Sequence, residues 1–250
     1  MGFKNLLNKV LFLLSVPTCT SCGKRLTFEE KALCKSCYIE YQRIKTRNCS
    51  RCARVLSECS CTNELMDRAR IKRAFKLFRY IPNEQNLPAN SLIYSLKRDN
   101  RSDVLDFCVG ELSETLSSAF PDYSSVVFTN VPRRKTAIIK NGFDHAGMLA
   151  REVAKRLGAD YQPLLKSNSK RAQKKLRRDA RIQNAKFVLR KKGIDLSGKH
   201  LVIVDDVITS GASVVNAAKT LKALRPKTVT VASLGVAYRD KYTPPIHTYY

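Results

Sequence analysis

The chain contains no tryptophan, only ten glycines, and 21 acidic residues against 46 lysines and arginines. It also lacks long apolar runs. The unbroken stretch Val10–Leu14 is five residues, whereas a membrane-spanning helix needs about 20, and no other stretch approaches spanning length. The sparse glycine and the lack of low-complexity segments exclude collagen-like and disordered classes, and 44% hydrophobic residues in a 250-residue chain suffice for one or two domains with a sizeable core. The shortage of acids leaves a net charge of +25. A folded protein that basic repels itself at close range, so polyanions are its natural partners.

The first sixteen residues are expected to form a helix rather than a secretory leader. Met1–Val16 carries Lys4 and Lys9 beside several leucines, but no small-x-small cleavage site precedes Val16-Pro17-Thr18-Cys19. The spacing of Leu6, Leu7, Val10, Leu11 and Leu14 instead predicts one face of a short amphipathic helix. With no spanning segment and no leader, the expected location is the cytoplasm.

That location decides how the nine cysteines are read. Eight lie in the first 61 residues, as Cys19-x2-Cys22, Cys34-x2-Cys37, Cys49-x2-Cys52 and Cys59-x-Cys61. A disulfide framework would use the same residues, but a reducing compartment opposes it. Two thiolates on a tight turn can reach one ion, and Zn²⁺ takes four such ligands in a tetrahedron. The segment from Lys24 to Leu65 has few bulky apolar residues and needs a cross-link to fold. One or two structural zinc ions are therefore expected. The simplest arithmetic puts Cys19, Cys22, Cys34 and Cys37 around one ion and Cys49, Cys52, Cys59 and Cys61 around another, although interleaved ligation uses the same eight residues. Cys108 sits in an apolar helical pattern with Leu105 and Leu112 and reads as a small core residue.

Beyond the cysteines the texture changes. Residues 1–65 read as an amphipathic helix plus a cysteine-rich zinc-binding domain, 66–88 as a connector, and 89–250 as a second domain. Within the connector, Ala69–Ile81 reads as a strand or hairpin arm, and Pro82–Pro88 is rich in turn residues. Helical patterns follow at Leu92–Leu96, Val104–Leu116, Phe143–Leu157 and Ala212–Leu224. Strand patterns fall at Ser125–Asn130, Leu201–Val204 and Thr228–Leu234. Continuous apolar strands alternating with helices predict an α/β fold with a mostly parallel sheet covered on both faces. No fixed-period repeat is apparent.

The chemistry concentrates in Leu201-Val-Ile-Val-Asp205-Asp206-Val207-Ile208-Thr209-Ser210-Gly211-Ala212-Ser213. An apolar strand ends in two adjacent carboxylates, then turns through Thr-Ser-Gly into a helix. Ligands of open α/β sheets bind at the carboxyl ends of strands. Backbone N–H groups from Ile208 to Ser213, with the hydroxyls of Thr209, Ser210 and Ser213, make an anion cradle, and Gly211 permits close backbone approach. Asp205 and Asp206 suit hydroxyls or a cation. A phosphate with vicinal hydroxyls beside it fits both halves, which describes a ribose 5-phosphate. A Walker-type nucleotide site is the competing reading. Its nearest loop, Gly193-x4-Gly198-Lys199, places His200 where Ser or Thr must bind Mg²⁺ and leads into a strand, so it fails on context.

This segment resembles the phosphoribosyl pyrophosphate (PRPP) motif of type I phosphoribosyltransferases. The resemblance implies that the acidic pair holds the ribose hydroxyls and acts in catalysis, while the Thr-to-Ser loop holds the 5-phosphate. Thr129-Asn130-Val131-Pro132-Arg133-Arg134, followed by Asn141-Gly142-Phe143-Asp144-His145, is similar to a stretch of the ComF competence proteins. So is Gln173-x2-Leu176-x4-Arg181-x2-Asn184-x2-Phe187, and the cysteine-rich leader matches that family's layout. The likeness runs from Cys19 to Ala237. It implies a type I phosphoribosyltransferase fold behind a small double zinc-ribbon-like domain, with Val131, Pro132, Arg133 and Arg134 at the pyrophosphate position and Mg²⁺ accompanying PRPP. Asn141 stands where the family usually has Arg, and the lead into Gln173 departs from the family pattern. A lone His such as His145 on a first helical turn is ordinarily a capping or surface residue, and only the family position marks it as a site candidate.

Charge points to a second partner. From Lys166 to Lys192 there are twelve Lys or Arg against one acid, Asp179. A solvated face is the bland reading, but at this density polyanion binding is favoured, through Lys174, Lys175, Arg177, Arg178 and Arg181. Phe187 alone offers stacking, so backbone binding rather than sequence reading is expected. Three functions follow. The first expected is a PRPP-binding ComF-type protein that handles single-stranded DNA during natural transformation, alongside competence helicase or processing proteins. The alternative is an active phosphoribosyltransferase releasing pyrophosphate to an unidentified acceptor. A zinc-ribbon adaptor with a vestigial pocket is the third.

Overall fold

A computed structural model of the protein describes residues 17–84, 86–99, 101–134, 136, 138, 139, 142–168 and 187–237. The amphipathic stretch at 1–16 lies outside the described residues, as do Lys174, Lys175, Arg177, Arg178 and Arg181 of the basic run.

The strands are β1 (Arg73–Arg79), β2 (Val126–Asn130), β3 (Asp160–Tyr161), β4 (Leu165–Ser167), β5 (Phe187–Leu189), β6 (His200–Ile208) and β7 (Thr228–Val236). The helices are α1 (Lys35–Lys45), α2 (Glu64–Arg68), α3 (Pro88–Arg98), α4 (Ser102–Leu116), α5 (His145–Leu157) and α6 (Ala212–Leu221). Five strands form one sheet in the order β1-β7-β6-β2-β3, and every pairing in it is parallel. β4 and β5 form a separate antiparallel pair that flanks the basic run. The expected α/β architecture with a parallel central sheet is present.

Alternation along β6 sorts the core. Val202 and Val204 join one apolar cluster with residues of α3, α4 and α5, while Leu201 and Ile203 join the other with α6 and Met66 of α2. Both faces are covered, which is why β6 from Leu201 to Val204 is an unbroken apolar run and β7 is buried from Val229 to Val236. Cys108 is buried in the first cluster, as expected of a core residue.

The strand expected within Ala69–Ile81 is present, and Arg73–Arg79 is the sheet's edge strand, in register with β7 from Arg73↔Thr230 to Arg79↔Val236. Ala74, Phe75, Leu77 and Phe78 are all buried there, so the strand belongs to the core that a boundary at 88/89 would have cut. The cysteine-rich module is likewise fused to that core. Tyr41 of α1 is fully buried, stacks edge-on against Phe78 and Phe107, and donates to Glu111 at 2.8 Å.

One expectation changes: the cysteine-rich module contains a repeat. Cys19 N–H donates to Lys24 O and Gly23 N–H to Cys19 O, with a bridge between Thr18 and Arg25. Thirty residues on, Cys49 N–H donates to Arg54 O and Ala53 N–H to Cys49 O, with a bridge between Asn48 and Val55. Gly23 and Ala53 both take positive φ, +74° and +58°. The second knuckle thus adopts the first one's turn without its glycine, which hid the duplication from a reading of residue types.

Candidate functional site

The chain leaves β2 through α5 to β3 on one side of the sheet, and leaves β6 through α6 to β7 on the other. Adjacent strands β2 and β6 therefore form the switch point of the sheet, the crevice where ligands of open α/β folds bind. Asn130 pairs with Val204, and Val131 N–H donates to Val204 O at 3.0 Å. The loops 131–134 and 209–213 are consequently brought to the same end of neighbouring strands.

The two adjacent acids have different surroundings. β6 runs on to Ile208, so Asp205 and Asp206 lie within the strand and alternate to opposite faces. Asp206 continues the Val202/Val204 face, where it is 8% exposed, hydrogen-bonded to His145 Nε2, and 3.3 Å from Lys97 Nζ. Burial opposes its ionisation, but the His145 hydrogen bond and the Lys97 charge outweigh that and hold its carboxyl at about 2. Asp206, expected beside Asp205 at the ribose hydroxyls, thus already meets His145 and Lys97. Asp205, half-buried, lines a small cavity with Thr209, Gly211, Ala212 and Ser213. Desolvation, then the neighbouring Asp206 charge, pushes its carboxyl well above the usual range.

The cavity beside Asp205 measures about 20 Å³, which is water-sized, so a phosphoryl group has to widen it. A larger cleft of about 460 Å³ lies between α4 and α5, away from the strand ends. The loop itself is built as the sequence predicts. Gly211 caps α6 at φ +84°, and Ser210 Oγ accepts from Ala212 N–H at 3.4 Å. The start of α6 leaves first-turn N–H groups for an anion.

Across the crevice, Arg133 carries a buried Nη1 without a hydrogen-bond partner among the described residues. A buried guanidinium N–H left unmatched is costly, and an anion would satisfy it. The loop carrying Arg133 is held by a network around Asn130, which donates to Asp144 Oδ2 and accepts from Tyr161 OH, both at 3.0 Å. Asp144 also caps α5 through Gly147 N–H, which fixes His145 beneath the strand ends.

The eight N-terminal thiols come together as two groups of four. Cys19, Cys22, Cys34 and Cys37 form one, and Cys49, Cys52, Cys59 and Cys61 the other, with the sulfurs of each group within 4.8 Å of one another. This is the sequential rather than the interleaved arrangement. Cys22 and Cys34 sulfurs are 3.6 Å apart and Cys52 and Cys59 3.5 Å. Disulfide sulfurs are bonded at about 2.05 Å, while sulfurs on a zinc tetrahedron with about 2.3 Å bonds sit about 3.8 Å apart. Both clusters could hold zinc. In the second, Lys76 of β1 is 2% exposed and donates to Cys59 Sγ at 3.1 Å and Cys61 O at 2.8 Å, setting a cation against the thiolate charge.

Sequence reasoning missed Lys97, Lys76 and Asn63, and undervalued His145. Lys76 had a signal, a lone charge inside Ala-Phe-Lys-Leu-Phe. His145 had only its family position, and it is a buried partner of Asp206 rather than a capping or surface residue. Lys97 looks like any basic residue in a last helical turn.

Residues 138–250 match the phosphoribosyl transferase domain family. No match is found among curated proteins. Among solved structures, the purine phosphoribosyltransferase of Pyrococcus horikoshii Ot3 is similar at 20% identity, with 56% of this chain and 78% of that one covered and a TM-score of 0.37. The adenine phosphoribosyltransferase of Thermoanaerobacter pseudethanolicus is similar at 14% identity over 56% and 83%, also with a TM-score of 0.37. The matched residues include β6, the loop 209–213 and α6, while β2 and the two four-thiol clusters lie before them.

Proposed function

We propose that the protein binds PRPP at the junction of β2 and β6, with the 5-phosphate on the amides and hydroxyls of Thr209–Ser213. Asp205 faces the ribose hydroxyls, and the pyrophosphate lies toward Val131–Arg134. The observation that carries this reading is the pairing of opposite demands across one crevice: a cavity lined by Asp205 and the helix-start loop, and a buried Arg133 Nη1 that lacks an acceptor. Asp205 is a hard oxygen donor beside the cavity, which suits Mg²⁺. When bound with PRPP, Mg²⁺ neutralises pyrophosphate charge.

The family motifs extend the proposal to a ComF-type role, handling single-stranded DNA in natural transformation with competence helicase or processing proteins as partners. Lys166, Arg190, Lys191 and Lys192, described members of the basic run, are exposed. Among the described residues no helix is long and apolar enough to cross a membrane.

Thermal denaturation tests the ligand class. PRPP, ribose 5-phosphate and pyrophosphate should each raise the melting temperature, PRPP most, since a ligand at 100 times its Kd stabilises by about 2.7 kcal/mol. No shift with any of the three would contradict the proposal.

A further inference from the structure

The second thiol cluster and the phosphate loop are separated by 148 positions in the chain between Cys61 and Thr209, yet they meet through a single short segment. Directly after Cys61, Thr62 O accepts from Arg51 Nη1, and Thr62 Oγ1 is hydrogen-bonded to Asp67, so the exit from the cluster is fixed on both sides. Asn63 follows and makes two contacts with different atoms. Its Oδ1 accepts from Met66 N–H at 3.0 Å, capping α2. Its Nδ2 donates to Ser210 O at 3.1 Å, inside the loop assigned to the phosphate.

The packing is as close as the hydrogen bond. A Cβ added to Gly211 would lie 3.1 Å from Met66 Cε and 3.2 Å from Asn63 Nδ2. Gly211 is thus needed both for its positive φ and because α2 presses on the loop from outside. The cluster is anchored to the sheet as well. Ala74 N–H of β1 donates to Ser60 O at 2.9 Å, and the Lys76 ammonium holds Cys59 Sγ and Cys61 O. Among the described residues Cys19, Cys22, Cys34 and Cys37 show no such path: their helix α1 packs on Phe78 and Glu111, on the α3/α4 side of the sheet.

We propose that the second cysteine cluster sets the shape of the phosphate loop through Cys61–Asn63, with Asn63 as the positioning residue, so that ligand affinity depends on metal at that cluster and not at the first. The inference rests on the phosphate-cradle reading for its consequence, though not for the coupling itself. A metal holding Cys59 and Cys61 fixes where Thr62 and Asn63 stand. Asn63 then fixes the Ser210 carbonyl, and with it the direction of the amides that follow. Loss of the metal frees the segment, and the loop amides lose their common aim.

The test uses the full-length zinc-loaded chain and two readouts. Amide hydrogen exchange of residues 209–213 without ligand reads the coupling directly. Calorimetric titration with ribose 5-phosphate reads its consequence. Asn63→Asp keeps the cap on Met66 N–H, since Asp is as good a cap as Asn, but cannot donate to Ser210 O. It should speed exchange of the loop and weaken ribose 5-phosphate about five- to tenfold, the scale of one hydrogen bond, while lowering the melting temperature by no more than several degrees. Cys61→Ser should do the same or more, and Cys37→Ser should leave both readouts as in the parent. Parent-like exchange and affinity in Asn63→Asp would overturn the proposal. So would equal loosening of the loop by Cys37→Ser, which would mean general destabilisation. If the parent bound no ribose 5-phosphate while Asn63→Asp and Cys61→Ser still loosened the loop, the coupling would stand and the phosphate-cradle reading would fall.

Discussion

The ammonium of Lys97 lies 3.3 Å from the carboxylate of Asp206, on the sheet face opposite the cavity that Asp205 lines. Adjacent identical residues on one strand thus have different surroundings: Asp206 joins α3, β6 and α5 through Lys97 and His145, and Asp205 lines the cavity proposed for the ligand. Asp206→Ala should therefore lower stability by about 3 kcal/mol, the cost of stranding a buried partner. Asp205→Ala should leave stability unchanged or raise it, because its own charge is desolvated and repelled by Asp206. Urea unfolding of the two variants checks this, and equal losses would contradict it.

The same pair predicts opposite pH responses. Asp206 has its folded-state carboxyl held at about 2, below the about 3.9 of an unfolded chain. Its contribution is present above pH 4 and is lost as pH falls through 2. Asp205 is raised, so the folded state holds its proton more tightly and stability falls as pH climbs through its folded-state value. Unfolding free energies at pH 6 and pH 2.5 should differ less in Asp206→Ala than in the parent. Asp205→Asn should remove the decline that sets in as pH rises above about 4.

Metal content should be two zinc ions per chain. Serine at Cys22 or at Cys52 should each reduce it to one, because the thiols segregate into two closed sets. Lys76→Met should leave the count at two but speed loss of one ion to a chelator, since the thiolates lose their buried cation. Elemental analysis with a colorimetric chelator reads both. A single ion in the parent would contradict the sequential assignment.

Much of the site was legible in the sequence because it depends on local order. The strand–loop–helix passage from Leu201 to Ser213 states its own geometry: apolar residues for a doubly covered strand, Gly211 for a positive φ, hydroxyls at a helix start. What stayed hidden depends on which residues the fold brings together. Lys97, His145 and Asp206 come from three segments, and nothing in their spacing declares that they meet. Period-2 alternation could have separated Asp205 from Asp206, had the strand been carried beyond Val204. The edge strand Arg73–Arg79 was suggested by its apolar residues, yet its place beside β7 is a long-range pairing that no local pattern fixes.

The basic run should account for DNA binding. Replacing Lys174, Lys175, Arg177 and Arg178 by Ala removes four potential phosphate contacts. At about 0.7 per contact on single strands, the slope of log affinity against log salt should shrink by about 3. An unchanged slope would make the run a solvated face. Asp205→Asn should leave that slope alone, since its carboxylate lies at the cavity and not on the run.

Calorimetric titration of Mg²⁺·PRPP into the parent and into Asp205→Asn tests the central claim most directly. The account predicts saturable one-to-one binding in the parent and its loss in a variant that remains fully folded. It also predicts no pyrophosphate release in the absence of an acceptor. No heat of binding in the parent, or equal affinity in the variant, would contradict the assignment of this crevice to a ribose phosphate.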